Sequence, residues 1–230
     1  MIPGLEPIRD TPSLAIGQCL GWAFRDPQWV RKLLVGTLLS AASFLIIPLP
    51  LVLGYGARTT RAPFGDDLLP EWTNPLALYR DGLTVALIWG IHWVPLGGAW
   101  WGLSRLDVWP DGAPGDQPGF FLLLALILLP TLLAFALYVN TAILRAVVLR
   151  RFAAAFESGE IADFLRRNSR NVARFLVLMV PLTWLGQLTA CLCGVGLLFG
   201  AFWTMCTFYY ALGQLGRYDR YLGNEVAGAG

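Results

Sequence analysis

Four stretches of the chain contain no Asp, Glu, Lys or Arg: residues 33–57, 82–104, 117–144 and 175–216. Charged residues return in clusters between them. A helix needs about 20 apolar residues to cross the hydrocarbon core of a bilayer. The run 82–104 fits one crossing, and 119–144 fits a second. The run 175–216 holds two, at 175–193 and 197–216, with Gly194-Val195-Gly196 as the turn, since glycine accepts the backbone of a tight reversal. Each crossing must be helical, because an open strand leaves its amides unpaired in lipid.

The first run, 33–57, admits two readings. Residues 33–53 are long enough for a fifth span. They also contain Pro48-Leu49-Pro50, and each proline removes a helical hydrogen bond and favours a bend. The segment then enters and leaves on one face as a re-entrant hairpin. Lys and Arg collect on the cytoplasmic side of a membrane. With five crossings the best orientation places 12 of these residues inside and 5 outside; with a hairpin and four crossings the split is 16 to 1. The hairpin is favoured, with both termini cytoplasmic. The predicted fold is an all-α integral membrane protein of four transmembrane helices plus a re-entrant or fifth spanning segment, forming a single membrane domain.

The water-facing pieces read as interfacial helices. Within 1–32, Thr11-Pro12 is a capped start and Asp26-Pro27 an end, with Ile16, Leu20, Ala23 and Phe24 on one face. Segment 58–81 is an interfacial loop, with an acidic patch at Asp66-Asp67 and a helix start at Asn74-Pro75. Segment 145–174 is basic and amphipathic, broken at Ser158-Gly159, with Asp163 and Arg167 spaced as an i,i+4 pair. Its arginines, including Arg166, Arg167 and Arg170, suit anionic headgroups or simply set topology. Residues 217–230 are expected to be a tail, frayed from 223. Residues 12–61 and 150–217 share a loose pattern of amphipathic helix, basic residues and apolar run.

Composition agrees with this pattern. The chain is 56% hydrophobic and only 14% charged, where soluble domains carry about 25%. A net charge of +2 gives no case for a nucleic-acid partner. No cleavable signal is expected in 1–28, which has no continuous apolar core. Cys191 and Cys193 have no second pair to complete a zinc site, and a disulfide framework is not expected.

Candidate chemistry is sparse. His92 is the only histidine and falls within a span, beside Trp89, Trp93 and Trp100. A polar group at that depth is a functional candidate, here for holding a pigment, haem or quinone headgroup; the plainer reading is a neutral imidazole bonded within the bundle. Asn140 and Gln187 are further intramembrane polar groups. Gly98-x-x-x-Gly102 and Gly196-x-x-x-Gly200 permit close helix approach. No catalytic constellation, P-loop or dinucleotide fingerprint is present, no span carries a carboxylate, and no cofactor or metal is required by the sequence.

One stretch is distinctive: Gly54-Tyr55-Gly56-Ala57-Arg58-Thr59-Thr60-Arg61, then Asp66-Asp67-Leu68-Leu69-Pro70-Glu71-Trp72, then Asp81-Gly82, with Leu212-Gly213-Gln214-Leu215 near the end. It resembles a prokaryotic family of multi-pass membrane proteins known as domain of unknown function 4013, over most of 15–220. The resemblance implies a helical domain of the prokaryotic inner membrane and brings no catalytic residues. Physically, Tyr55 would mark the hydrocarbon boundary. Arg58 and Arg61, one turn apart, would face headgroup phosphates, Glu71 would pair with one of them, and Trp72 would anchor the loop at the interface.

Three functions compete on this reading. The first is a non-catalytic scaffold or accessory subunit, with the bilayer and other membrane subunits as partners. The second is a small-molecule or lipid transporter, with His92, Asn140 and Gln187 converging on a cavity. The third is a membrane-shaping protein that wedges its hairpin into one leaflet.

Overall fold

The computed structural model describes residues 13–105, 118–188 and 195–228. Among these the regular structure is helical. It comprises α1 (Ile16–Gly21), α2 (Trp29–Ala42), α3 (Leu49–Arg61), α4 (Pro75–Arg105), α5 (Pro118–Leu149), α6 (Ser158–Arg167), α7 (Ser169–Leu188), α8 (Val195–Arg217) and α9 (Arg220–Gly228), with short 3-10 turns between. Two stretches are long and apolar enough to cross a membrane: Pro75–Ala99 in α4 and Leu126–Leu149 in α5. They match the spans expected at 82–104 and 119–144. The spans expected at 175–193 and 197–216 correspond to α7 and α8; the turn between them, with Cys191, Cys193 and Gly194, lies outside the described residues, as do the loop at 106–117 and the Thr11 cap.

The ambiguous first run is two helices. The chain leaves α2 at Ala42 and reverses through 43–48, where Ile46 takes φ 67°, a left-handed value that a β-branched residue rarely adopts. Pro48 and Pro50 then sit at the cap and first turn of α3, where a missing amide costs nothing. The start of α2 and the end of α3 both meet segment 69–73: Lys32 reaches the Leu69 carbonyl, and Arg58 reaches those of Glu71 and Thr73. The pair is therefore an antiparallel hairpin. Its arms, of 14 and 13 residues, are about 20 Å long at 1.5 Å per residue. Its tip exposes Leu45, Ile46 and Ile47.

Helix α3 is the buried centre. It packs on α4, α8, α2 and α5, and two of these crossings depend on glycine. A side chain at Gly54 would strike the Leu78 carbonyl, and one at Gly82 would strike the Pro50 carbonyl. The backbones of α3 and α4 are thus in direct contact. At the other end of α3, a side chain at Gly213 of α8 would strike the Thr60 carbonyl. The tightly packed core includes Tyr55, Ala57, Leu78, Val85, Ile88, Phe202 and Tyr210.

Charged groups gather at one end of the bundle. There the hairpin α2–α3 opens, α4 begins, α5 ends, α7 begins and α8 ends. Arg105 is the sole described Lys or Arg at the opposite end. The final segment differs from the fraying expected from 223, over its described residues. Residues Arg220–Gly228 form α9, with Leu222 buried and Glu225 facing Arg145 at 3.6 Å. The N-terminal helix also departs from an interfacial layout. It stops before Asp26-Pro27 as expected, but Cys19, Trp22 and Ala23 are buried against the bundle.

Candidate functional site

At the charged end, α3, α4 and the end of α5 enclose a cleft of about 610 Å³. It is lined by Arg58, Arg61, Arg80, Asp81 and Arg150, over a floor of Ala77, Thr84, Ala146 and Val147, with Phe152 at its lip. Four guanidinium groups thus face one carboxylate. Arg58 and Arg61 are held. Arg58 donates to the carbonyls of Thr73 (2.7 Å) and Glu71 (3.2 Å), and Arg61 pairs with Asp81 at 2.7 Å. The Nε of Arg61 is buried without a partner. Burial, aided by neighbouring Arg61 and opposed by Asp81, lowers the Arg58 pKa from its ordinary value. Arg80 and Arg150 are exposed and make no ion pair among the described residues. Arg150 adopts φ 53° just after α5 ends, where the Arg151 amide closes the helix onto the Ala146 carbonyl. Glycine usually occupies such a closing position; here an arginine does, and its side chain lines the cleft.

The distinctive sequence stretch becomes legible in this geometry. Arg61 and Asp81 are partners, and Gly82 is the contact point of α4 on α3. Glu71 does not pair with Arg58 or Arg61 through its carboxylate. That group goes to Lys32 at 2.6 Å, and only its carbonyl takes Arg58. Lys32 is buried and also binds Asp26 at 2.7 Å. Burial alone would lower its pKa; the bonds to Asp26 and Glu71 outweigh that and raise it. Tyr55 is fully buried, stacked on Trp72 with ring centres 4.1 Å apart. Trp72 donates its indole N–H to the Lys32 carbonyl at 2.9 Å and so latches the loop to α2. Asp67 is a hub. Its carbonyl accepts from Trp22, its carboxylate from Tyr210, and Gln214 donates to the Tyr210 hydroxyl in turn.

The part of this stretch from Gly54 to Gly82 lies inside a match to the family model described as Protein of unknown function (DUF4013), which covers residues 39–195 and stops short of Leu212–Leu215. The chain belongs to that family. No curated protein and no solved structure matches it. Within the matched range, Gly54 and Gly82 make backbone contact, Tyr55 and Trp72 stack, and Arg61 and Asp81 form an ion pair.

The remaining sequence candidates are dispersed. His92 is half-buried on α4, with Nδ1 2.7 Å from the Ile88 carbonyl, so Nδ1 carries a proton and donates it there. Its ring stacks on Phe156 and lies near Tyr138. Among the described residues no group of three His, Cys, Asp or Glu is placed to hold a metal ion. Asn140 donates to Ala136 four residues earlier in its own helix; nothing is described of the Gln187 side chain. Arg166, Arg167 and Arg170 lie apart from the cleft. Arg167 turns to Asp219 at 3.4 Å and covers Tyr221, while Asp163 pairs with Arg166, not with Arg167.

Sequence reasoning missed three participants. Arg80 and Arg150 line the cleft without belonging to the motif that carries Arg58 and Arg61. Arg145 is 2% exposed and faces Glu157, Glu160 and Glu225 within 4.0 Å. The last carboxylate comes from the segment expected to fray, so no local signal announced it.

Proposed function

We propose that the protein is a non-catalytic integral membrane protein that serves as a scaffold or accessory subunit of a larger membrane complex. The observation that carries this reading is the bare outer part of the α4–α5 pair. The apolar stretches of these helices are only 17% and 22% buried. Val94, Leu96, Trp101, Leu126, Ile127 and Leu129 are exposed together. Soluble monomers rarely leave contiguous apolar patches of this extent open. On the same part of α4, side chains added at Gly90, Gly97, Gly98 and Gly102 would meet none of the described residues. A surface of that kind lets the helix of another subunit approach closely.

In this reading α4, α5, α7 and α8 are four spans, and α2–α3 is a re-entrant hairpin of half-bilayer depth. The charged end is cytoplasmic, as positive-inside sorting requires of an inner-membrane protein. The test is gentle extraction from the native membrane, with identification of co-migrating proteins and an absorption spectrum. A stoichiometric protein partner supports an accessory subunit. A protein that migrates alone and colourless defeats it.

Membrane shaping is the second reading, favoured by the exposed Leu45, Ile46 and Ile47 at the hairpin tip. Tubulation of liposomes by the pure protein would support it, and unchanged liposomes would remove it. Transport has less support: His92 and Asn140 both spend a polar atom on a carbonyl of their own helix.

A further inference from the structure

We infer that the cleft between α3, α4 and α5 is a binding site for an anionic phospholipid, with its phosphate held by Arg58, Arg61, Arg80 and Arg150. The inference rests on the membrane reading above and adds a ligand to it.

Four arguments converge. The first is charge. Four guanidinium groups surround a single carboxylate in one concavity of about 610 Å³, and the fork of an arginine matches phosphate oxygens in pairs. The same protein neutralises arginine elsewhere. Arg145 is given three carboxylates within 4.0 Å, whereas Arg80 and Arg150 have none among the described residues. The second is preorganisation. Arg58 is fixed by the carbonyls of Glu71, Thr73 and Asn74 and Arg61 by Asp81, so a ligand meets two placed guanidinium groups and two that can close over it. The third is an unmet donor: Arg61 Nε is buried with no acceptor, and leaving such a group unbonded is costly.

The fourth argument selects a lipid. The cleft shares Ala77 and Arg80 with a second groove of about 540 Å³ along the outside of α4. That groove is lined by Asn74, Leu76, Tyr79 and Leu83 and is overwhelmingly apolar. Leu76 and Leu83 are exposed there. A basic cleft that opens into an apolar groove fits a molecule with a phosphate at one end and an acyl chain at the other. Free phosphate would use the cleft alone.

The test uses the full chain in nanodiscs of phosphatidylcholine doped with phosphatidic acid, with bound lipid counted by native mass spectrometry. The double variant Arg80→Gln, Arg150→Gln is the probe, since both residues are exposed and unpaired and neither supports the fold. The wild type should retain phosphatidic acid over phosphatidylcholine. The variant should bind it at least about tenfold more weakly, a loss of about 1.4 kcal/mol, since two charge-assisted bonds to phosphate are removed. The control variant Arg166→Gln, Arg170→Gln should bind as the wild type does. Equal binding by the probe variant overturns the proposal, and so does an equal loss in the control, which would indicate diffuse attraction to the surface. Inorganic phosphate is titrated separately. If it displaces the lipid at comparable concentration, the ligand is a free phosphate and the acyl groove is irrelevant. A chain that alkaline carbonate strips from its native membrane would instead defeat the membrane reading; phosphate binding in detergent, lost in the Arg80/Arg150 variant, then still decides the arginine site.

Discussion

The inner and outer parts of α4 use the same residue type to opposite ends. Near its start, Gly82 lies against the backbone of α3, and any side chain there would collide with the Pro50 carbonyl. Farther along, Gly97, Gly98 and Gly102 have nothing within 4 Å opposite them among the described residues. A sequence rule that equates glycine in an apolar helix with close packing is therefore right at one end of this helix and unfulfilled within the chain at the other. The difference arises from length. Helix α3 has 13 residues and α4 has 31, so α3 covers only the first part of its neighbour. Where cover stops, the apolar surface remains open for lipid or another helix.

Substitutions can break this contrast in graded fashion. The largest effect belongs to Gly82→Leu, which forces two backbones apart. Overpacking a tight core usually costs about 1–3 kcal/mol, and this site should exceed that because the obstacle is a backbone carbonyl. The expected result is loss of a monodisperse peak in detergent size-exclusion chromatography. Next comes Arg145→Met, which leaves Glu160 and Glu225 without this cation and Glu157 with Arg151 alone. Breaking a buried pair costs about 3–5 kcal/mol; partial exposure of these carboxylates places the effect near the lower figure, read as a fall in Tm.

Asp26→Asn should cost more than Glu71→Gln, although both carboxylates bind Lys32. Asp26 is buried and Glu71 is more than half exposed, and an exposed pair contributes at most about 1 kcal/mol. The pH dependence of Tm sharpens the point. Because the folded pKa of Lys32 lies above its ordinary 10.5, its contribution is full below that pH. It declines as pH rises through the folded value. A contribution lost near neutral pH would contradict the network. The smallest effect on stability is expected for Gly98→Leu, within about 0.5 kcal/mol. If the scaffold reading holds, the same change removes the co-purifying partner. If partner and Tm both stay unchanged, the open face of α4 is only a lipid surface.

Much of the fold was legible in the sequence. The charge-free runs located α4 and α5, Asn74-Pro75 marked the start of α4, and the two prolines signalled the turn into α3. Those features are local: run length, capping chemistry and missing amides. The candidate site was half legible. Arg58 and Arg61 stood out because they are adjacent on one helix, whereas Arg80 and Arg150 join them only after α4 and α5 pack side by side. Tyr55 and Trp72 were read as interface anchors because that is the common role of such residues at a span boundary. Their actual roles, stacking and latching, depend on which loop folds back over α3, and no spacing encodes that. Arg145 and Glu225 meet for the same reason, across α5 and α9.

The placement of α3 also bears on how the chain is made. Three of the walls around it are α2, α4 and α8, and α8 leaves the ribosome only after α4, α5, α6 and α7. Until then Gly56 lacks the Tyr209 ring and Thr60 lacks the backbone at Gly213. The short hairpin must therefore wait, half enclosed, while the helices between α3 and α8 are produced. A chain that stops before α8 would keep its motif and lose its fold.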